Sequence, residues 1–396
     1  MSGTTLATTW VLPVDGPPIR GGRVSAADGR VVWVGRAGDP GAPEGAVRDL
    51  GPGVLLPGLV NAHCHLELSP LAGKVPFGTG FVPWVEAVVA ARGRLAEDAG
   101  RSRAEAIRSL EERGTVAVGD VSNTLEHLDQ LAASRLRVVV FLELLAWDPA
   151  RAELTMTWAE ERLAEAHRAP AVDVRLAAHA PHSVSPELLR RLVERGGVAA
   201  IHLAESPEES RFLSEGDGPW ADFLERRGLG HVGFRPPGTS PVEYVDGLGL
   251  LHPGLMAVHA VQVDDEDRRR LARRGVSVAV CPRSNRNIGV GTADVPALLA
   301  AGVHLCLGTD SLASVETLDV LDEAVCLARQ FPGLDPAAVV RMATAGGAEA
   351  LGLDDLGTIA PGKRAALAFA GAASPPADPH AYLLSGGARL SRVDPP

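Results

Sequence analysis

Eight apolar, strand-like runs follow one another between residues 54 and 311, several of them separated by stretches rich in Ala, Leu, Glu and Arg. They are Val54–His65, Thr115–Asn123, Arg137–Ala146, Asp173–Ser185, Ala199–Ser206, Leu255–Val263, Val276–Asn285 and Val303–Ser311. Such alternation is the pattern of parallel strands joined by crossover helices. Amphipathic segments at Ser102–Arg113, Pro186–Gly196, Asp264–Gly275 and Asp294–Gly302 supply helices, each closing with Gly or Arg-Gly before the next strand. Eight such units over roughly 250 residues predict an α/β fold, a (β/α)8 TIM-like barrel. The two ends of the chain read differently. Ala27-Asp28-Gly29-Arg30 is turn chemistry ahead of the β-branched run Val31-Val32-Trp33-Val34, and short Gly- and Pro-rich extended pieces return after residue 353. The expected organisation is a small β domain built from residues 1–53 and 353–396, beside a barrel spanning 54–352.

Composition limits the partners. Hydrophobic residues at 46% and charged residues at 22% describe a globular chain rather than a disordered one. With 38 Lys and Arg against 49 Asp and Glu, the formal charge of −11 offers no field for phosphate backbones or anionic lipid, so no nucleic-acid partner is expected. No run of about 18 apolar residues occurs, and the first residues lack a basic, then apolar, leader pattern. The expectation is therefore no membrane span and no export. Four cysteines, Cys64, Cys281, Cys306 and Cys326, without C-x-x-C spacing suit a reducing cytoplasm.

The chemistry concentrates at strand ends. The first run closes Asn61-Ala62-His63-Cys64-His65-Leu66-Glu67, and residues two apart on a strand share a face, so His63 and His65 would point together into the barrel mouth. Taken alone, this His-x-His fits a pair of loop histidines as well as a metal site. Other runs end alike: His202 and Glu205 in His202-Leu203-Ala204-Glu205, His259 in Val258-His259-Ala260, and Asp310 in Gly308-Thr309-Asp310-Ser311. Neutral imidazoles with one carboxylate are a donor set for a catalytic divalent metal. Cys64 lies between two histidines, but alternation turns it to the opposite face, which reads as a buried apolar residue rather than a nucleophile.

In order and spacing these runs resemble the amidohydrolase superfamily, and within it the cytosine and adenosine deaminase branch. The resemblance spans almost the whole chain; Gly357-Thr358-Ile359-Ala360-Pro361-Gly362-Lys363 also resembles the segment re-entering the small domain, with Ala366 where an Asp is common. It implies that His63, His65, His202 and Asp310 hold one divalent cation, Zn²⁺ first and Fe²⁺ second. It further implies that Glu205 donates a proton to the ring under attack, that His259 supports the attacking oxygen, and that Asp310 accepts its proton. Many hydrolases of this superfamily use two metals bridged by a carboxylated lysine at the end of strand four. Here the only lysines are Lys74, after the first strand, and Lys363, near the end of the chain, so a single metal is expected. A strand-three glutamate ligates metal in some relatives, which leaves Glu143 as a ligand or, by preference, an acid behind the ligands.

The implied activity is hydrolytic deamination of an adenine nucleoside, a small-molecule substrate. Ala178-His179-Ala180-Pro181-His182-Ser183 resembles a His-x-Pro-Tyr segment of nucleoside deaminases, with His182 in place of the tyrosine; His179 is the expected base or ribose contact. The runs His63–Ser69, Gly80–Trp84 and His202–Glu209 are most similar to aminodeoxyfutalosine deaminases. Glu67 and Trp84 are expected to line the nucleoside pocket, and Arg283 to pair with an anionic group beyond the ribose. The alternatives are deamination of S-adenosylhomocysteine, methylthioadenosine or adenosine, and chlorohydrolysis of a triazine-like ring. A metal or nucleoside sensor without activity would not need both Glu205 and Asp310. Association into a homo-oligomer is left open.

Overall fold

The computed structural model describes residues 4–92, 99–167, 172–230 and 234–394. Its centre is one eight-stranded, all-parallel sheet in sequential order: β1 (Leu59–Cys64), β2 (Thr115–Ser122), β3 (Arg137–Leu144), β4 (Asp173–Ala178), β5 (Ala200–Leu203), β6 (Met256–His259), β7 (Ser277–Val280) and β8 (His304–Leu307). The sheet curls until its ends meet. Thr309 N and Asp310 N both donate to His63 O, at 2.9 and 3.1 Å, and Cys64 bridges Asp310 in parallel sense. Asn61 ties the same seam, donating from Nδ2 to Thr309 Oγ1 at 2.8 Å. The barrel is thus closed by the residues that carry its chemistry. This is the expected (β/α)8 barrel. Three of its helices matter below: α1 (Pro207–Glu215), α2 (Pro282–Ile288) and α3 (Val320–Gln330).

Every barrel strand sends small or β-branched side chains into one interior cluster, including Val60, Ala117, Ala177, Ala200, Ala279 and Cys306, with Phe141 the large filler. Alternate residues face the helices: Leu59, Val118, Val140 and Ile201 pack in the outer layer. The interior is a packed core, not a pore.

The structure corrects the first strand. Val54–His65 is not one strand but two. Gly53–Pro57 pairs antiparallel with Leu367–Gly371 in a five-stranded sheet, and only Leu59–Cys64 enters the barrel. Gly58 makes the passage because its backbone lies against Val116; a Cβ there would stand 2.1 Å from Val116 Cγ1. Leu390–Val393, Trp10–Val11 and Ile19–Arg20 complete this sheet, and a second sheet joins Arg30–Arg36, Gly22–Ala27, Thr4–Ala7 and Val47–Asp49. Leu6, Val24, Leu55, Ile359, Leu367 and Val393 form a core drawn from both ends of the chain.

Several strands also stop earlier than their apolar runs suggested. The seventh ends at Val280, and Cys281–Asn285 turns into α2 with Pro282 in its first turn. The fifth ends at Leu203, with Ser206 capping α1. These segments are apolar because the barrel mouth buries them, not because they are extended. Among the described residues no helix is long and apolar enough to cross a membrane.

Candidate active site

The two histidines of the β1 run face the interior only because the strand is irregular. Val60 and Ala62 pack inside and Cys64 packs outside, and the ladder to β2 slips register between Asn61 and Cys64. That slip exchanges the faces and turns His63 and His65 inward. Strict alternation along β6 would likewise leave His259 outside, because Val258 faces in; a left-handed backbone at His259 (φ +76°) and Ala260 (φ +46°) turns it back. Ala204 (+52°) and Asp310 (+60°) share this conformation, so four of the seven described non-glycine residues with positive φ stand at the ends of β5, β6 and β8. Strain of this kind persists only where surrounding contacts hold it.

The result is a convergence of donor atoms. His65 Nε2 lies 3.1 Å from His63 Nε2 and 3.3 Å from His202 Nε2. Asp310 Oδ1 stands 3.5 Å from His65 Nε2 and 3.9 Å from His63 Nε2. Four ligands about 2.0–2.1 Å from one tetrahedral cation would be separated by roughly 3.3 Å, so these residues fit a divalent metal. Burial drives the proton off His63 and His65, the state a ligand needs. Close approach is permitted by Gly308, whose missing Cβ would lie 2.7 Å from His63 Cβ.

Neighbouring groups orient these side chains. His202 Nδ1 donates to His179 O at 2.9 Å and faces Glu143 Oε1 at 3.4 Å, which turns its Nε2 toward His63 and His65. Burial opposes a proton on this ring, but Glu143 raises it to about 9, so a cation held here displaces that proton. Glu143, His179 and His202 also lie close enough together to hold a metal, and the Glu143 carboxyl is held well below its usual range: burial opposes this, but His179 and His202 outweigh it. Asp310 Oδ2 accepts from Ser284 Oγ at 2.6 Å and Ser314 Oγ at 2.9 Å. Although burial works against it, the imidazoles of His65 and His259 and the Ser284 hydroxyl keep Asp310 ionised.

Beside this cluster stand Glu205 and His259, with Oε1 and Nε2 3.7 Å apart. Burial pushes the Glu205 carboxyl up to about 8, against the pull of His202, so it holds a proton near neutrality. Burial lowers His259 to about 4, so it is a neutral imidazole. Its Nδ1–H donates to Asn285 Oδ1 at 2.9 Å, which leaves Nε2 as the acceptor facing the cavity. Replacing Asn285 by alanine frees this ring; turnover is expected to fall roughly 10–100-fold, as for other lost orienting partners, with metal content unchanged by elemental analysis.

His179 sits at the rim with its ring 5.2 Å from that of His202. Its Nδ1–H donates to Ser183 Oγ, which itself donates to Ala180 O, so Nε2 is an available acceptor. Trp84 is half-buried, its Nε1–H on Ala313 O at 3.2 Å. Glu67 is engaged within the chain: Oε2 accepts from Ser122 Oγ (2.7 Å) and Asn123 N (2.8 Å), and Oε1 pairs with Arg92.

Arg283 departs from its expected place. It is 7% exposed and turned into the protein, donating to Thr317 O and Oγ1 at 3.1 Å and to Glu316 Oε2 at 2.7 Å, 3.5 Å from the buried Glu323 of α3. The strand expected at 283 is the first turn of a helix, and the guanidinium is engaged by residues of this chain. Arg283→Ala is therefore expected to lower stability, read by denaturant unfolding, by removing the guanidinium beside Glu323, whose carboxyl burial pushes up to about 8, and to weaken all nucleosides equally.

Sequence reasoning passed over Asn61, Asp120, Ser284, Asn285, Glu209 and Ser314. Asp120 is fully buried, accepts from Leu66 N at 2.8 Å and pairs with His127 Nε2 at 2.6 Å, anchoring the chain just after His65. Asn61 and Asp120 lie within barrel strands, the others in the helices and loops that follow them, and no spacing marked them.

A closed parallel barrel with imidazoles and a carboxylate gathered at the C-terminal ends of its strands defines a metal-dependent barrel hydrolase. Residues 54–385 match the Amidohydrolase family, and the chain belongs to it. It is 36% identical over 312 residues to an aminodeoxyfutalosine deaminase of Deinococcus radiodurans, covering 76% of this chain and 73% of that one. It is 33% identical over 419 residues to a 5-methylthioadenosine/S-adenosylhomocysteine deaminase of Moorella thermoacetica, covering 97% and 90%. The fold superposes on the crystal structure of Helicobacter pylori aminofutalosine deaminase in complex with methylthio-coformycin at a TM-score of 0.83, with 23% identity and 98% and 100% coverage. It also superposes on an adenosine deaminase from Xanthomonas campestris with bound zinc, at a TM-score of 0.76, 25% identity and 98% and 89% coverage.

Proposed function

We propose that the chain is a zinc-dependent hydrolytic deaminase of an adenine nucleoside, converting aminodeoxyfutalosine to futalosine and ammonia, a cytoplasmic step toward menaquinone. The observation that carries this is the convergence of His63, His65 and His202 Nε2 atoms at 3.1 and 3.3 Å with Asp310 beside them and Glu205 and His259 adjoining. A divalent cation on these four residues supplies, when bound, the Lewis acidity that ionises a water molecule near neutral pH. Asp310, steadied by Ser284 and Ser314, accepts the proton that this water loses and passes it to the amino group, which leaves as ammonia while the remaining hydroxyl proton returns to Glu205 as the ring carbonyl forms. Glu205 delivers its proton to the ring nitrogen next to the carbon under attack, so that charge does not accumulate on the heterocycle. Neutral His259, fixed by Asn285, holds the attacking oxygen in line through Nε2. His179 Nε2 accepts from a substrate N–H or O–H, and Trp84 and Glu67 border the pocket. The four cysteines are unpaired and buried, in keeping with a reducing compartment.

The relative from Deinococcus radiodurans supports aminodeoxyfutalosine as substrate. The Moorella thermoacetica relative, matched over more of the chain, favours 5-methylthioadenosine or S-adenosylhomocysteine as the second reading. A panel of adenine nucleosides assayed for ammonia release decides between them: the highest kcat/KM is expected for aminodeoxyfutalosine. Turnover of a triazine or cytosine and of no adenine nucleoside would overturn the proposal.

A further inference from the structure

Helix α1 opens with Ser206-Pro207-Glu208-Glu209, the pattern of a capping box. One half of the box forms: Ser206 is the cap, and its Oγ accepts from Glu209 N at 3.1 Å. The other half would return the Glu209 carboxylate to the amide of Ser206. Instead that carboxylate reaches further back, Oε2 accepting from Glu205 N at 2.8 Å and Oε1 from Ala204 N at 3.1 Å. Ala204 is the residue held at φ +52°, and its carbonyl accepts from Val261 N (2.9 Å) and Gln262 N (2.8 Å) at the end of β6. The peptide bearing Glu205 is thus clamped on one side by β6 and on the other by Glu209.

A cap needs no buried charge, because a carboxylate in the first helical turn serves at the surface. Glu209 is 0% exposed. The imidazole facing it, His182, is equally buried, with Nδ1 3.8 Å from Glu209 Oε2 and its ring edge-on to Trp220 at 4.4 Å. The position costs desolvation that a surface cap would avoid.

We infer that Glu209 is a positioning residue for the proton donor: its carboxylate, bridging the amides of Ala204 and Glu205, fixes the strained strand end from which Glu205 reaches the reacting ring. The inference rests on the reading of Glu205 as proton donor, and its test separates the two. Steady-state kinetics on the best nucleoside of the panel, metal content and thermal melts are compared for Glu209→Gln, Glu209→Asp, Ser206→Ala, Glu205→Gln and the double variant Glu205→Gln/Glu209→Gln. Glutamine sets an amide N–H against one of the two backbone donors, and aspartate falls one methylene short. Either, with metal retained and KM little changed, is expected to lose roughly 10–100-fold in kcat. Ser206→Ala, which breaks the same helix cap, should stay within about threefold of the parent rate while melting earlier. In the Glu205→Gln background, Glu209→Gln should cost nothing more, since residues that act through one another are not additive. A folded Glu209→Gln or Glu209→Asp at the parent rate, a loss no greater than that of Ser206→Ala, or a further multiplicative loss in the double variant would overturn the inference. Parent-like turnover by Glu205→Gln would instead remove the donor assignment itself.

Discussion

Glutamine in place of Glu205 is expected to lower kcat by roughly 10²-fold or more, with one cation still bound per chain. The exchange is nearly isosteric, and Glu205 is not among the four converging donors, so metal content should not move. What is lost is the proton. Burial holds Glu205 up to about 8, which keeps it an acid at neutral pH, whereas an amide cannot transfer a proton to the ring nitrogen as the oxygen attacks. Stopped assays of ammonia release against elemental analysis on the same preparation read both quantities, and near-normal turnover would take Glu205 out of the mechanism.

Removal of the cation is expected to abolish activity altogether. Without a Lewis acid the attacking water is far less acidic than a metal-bound one, whose pKa is about 7, a difference on the order of 10 kcal/mol that no side chain here replaces. Chelation should bring ammonia release to the detection limit, and one equivalent of Zn²⁺ or Fe²⁺ should restore it. His63→Ala should behave as the chelated enzyme does and resist restoration. Because the cation binds only the folded state, the stripped protein should also melt earlier. A firm stoichiometry of two metals would contradict the argument from lysine, since Lys74 and Lys363 both lie away from strand four.

Much of the architecture was legible because periodicity is a local property. Eight apolar runs separated by helical segments specify a parallel barrel whatever their exact limits, and the recurrence of His and Asp at their ends marks the mouth. Strand limits were less legible, because a loop buried over a barrel mouth is as apolar as a strand. Arg283 shows it: the run read as a strand end is the first turn of a helix, where the guanidinium pairs with Glu316 and lies 3.5 Å from Glu323. The orienting residues were illegible for another reason. Asn285 acts on His259 across 26 residues and Asp120 on Leu66 across 54, and no spacing rule announces such pairs.

The amino-acid order by itself determined the barrel, the small domain built from two ends, and the chemical types presented at each strand terminus. Only the tertiary structure decided which way those side chains face. The register slip at Asn61–Cys64 and the left-handed backbone at Ala204, His259 and Asp310 are tolerated because seam hydrogen bonds, buried carboxylates and neighbouring strands hold them. Alternation is a default of an isolated strand; departure from it is stable only inside a closed barrel, where long-range contacts outweigh the local cost.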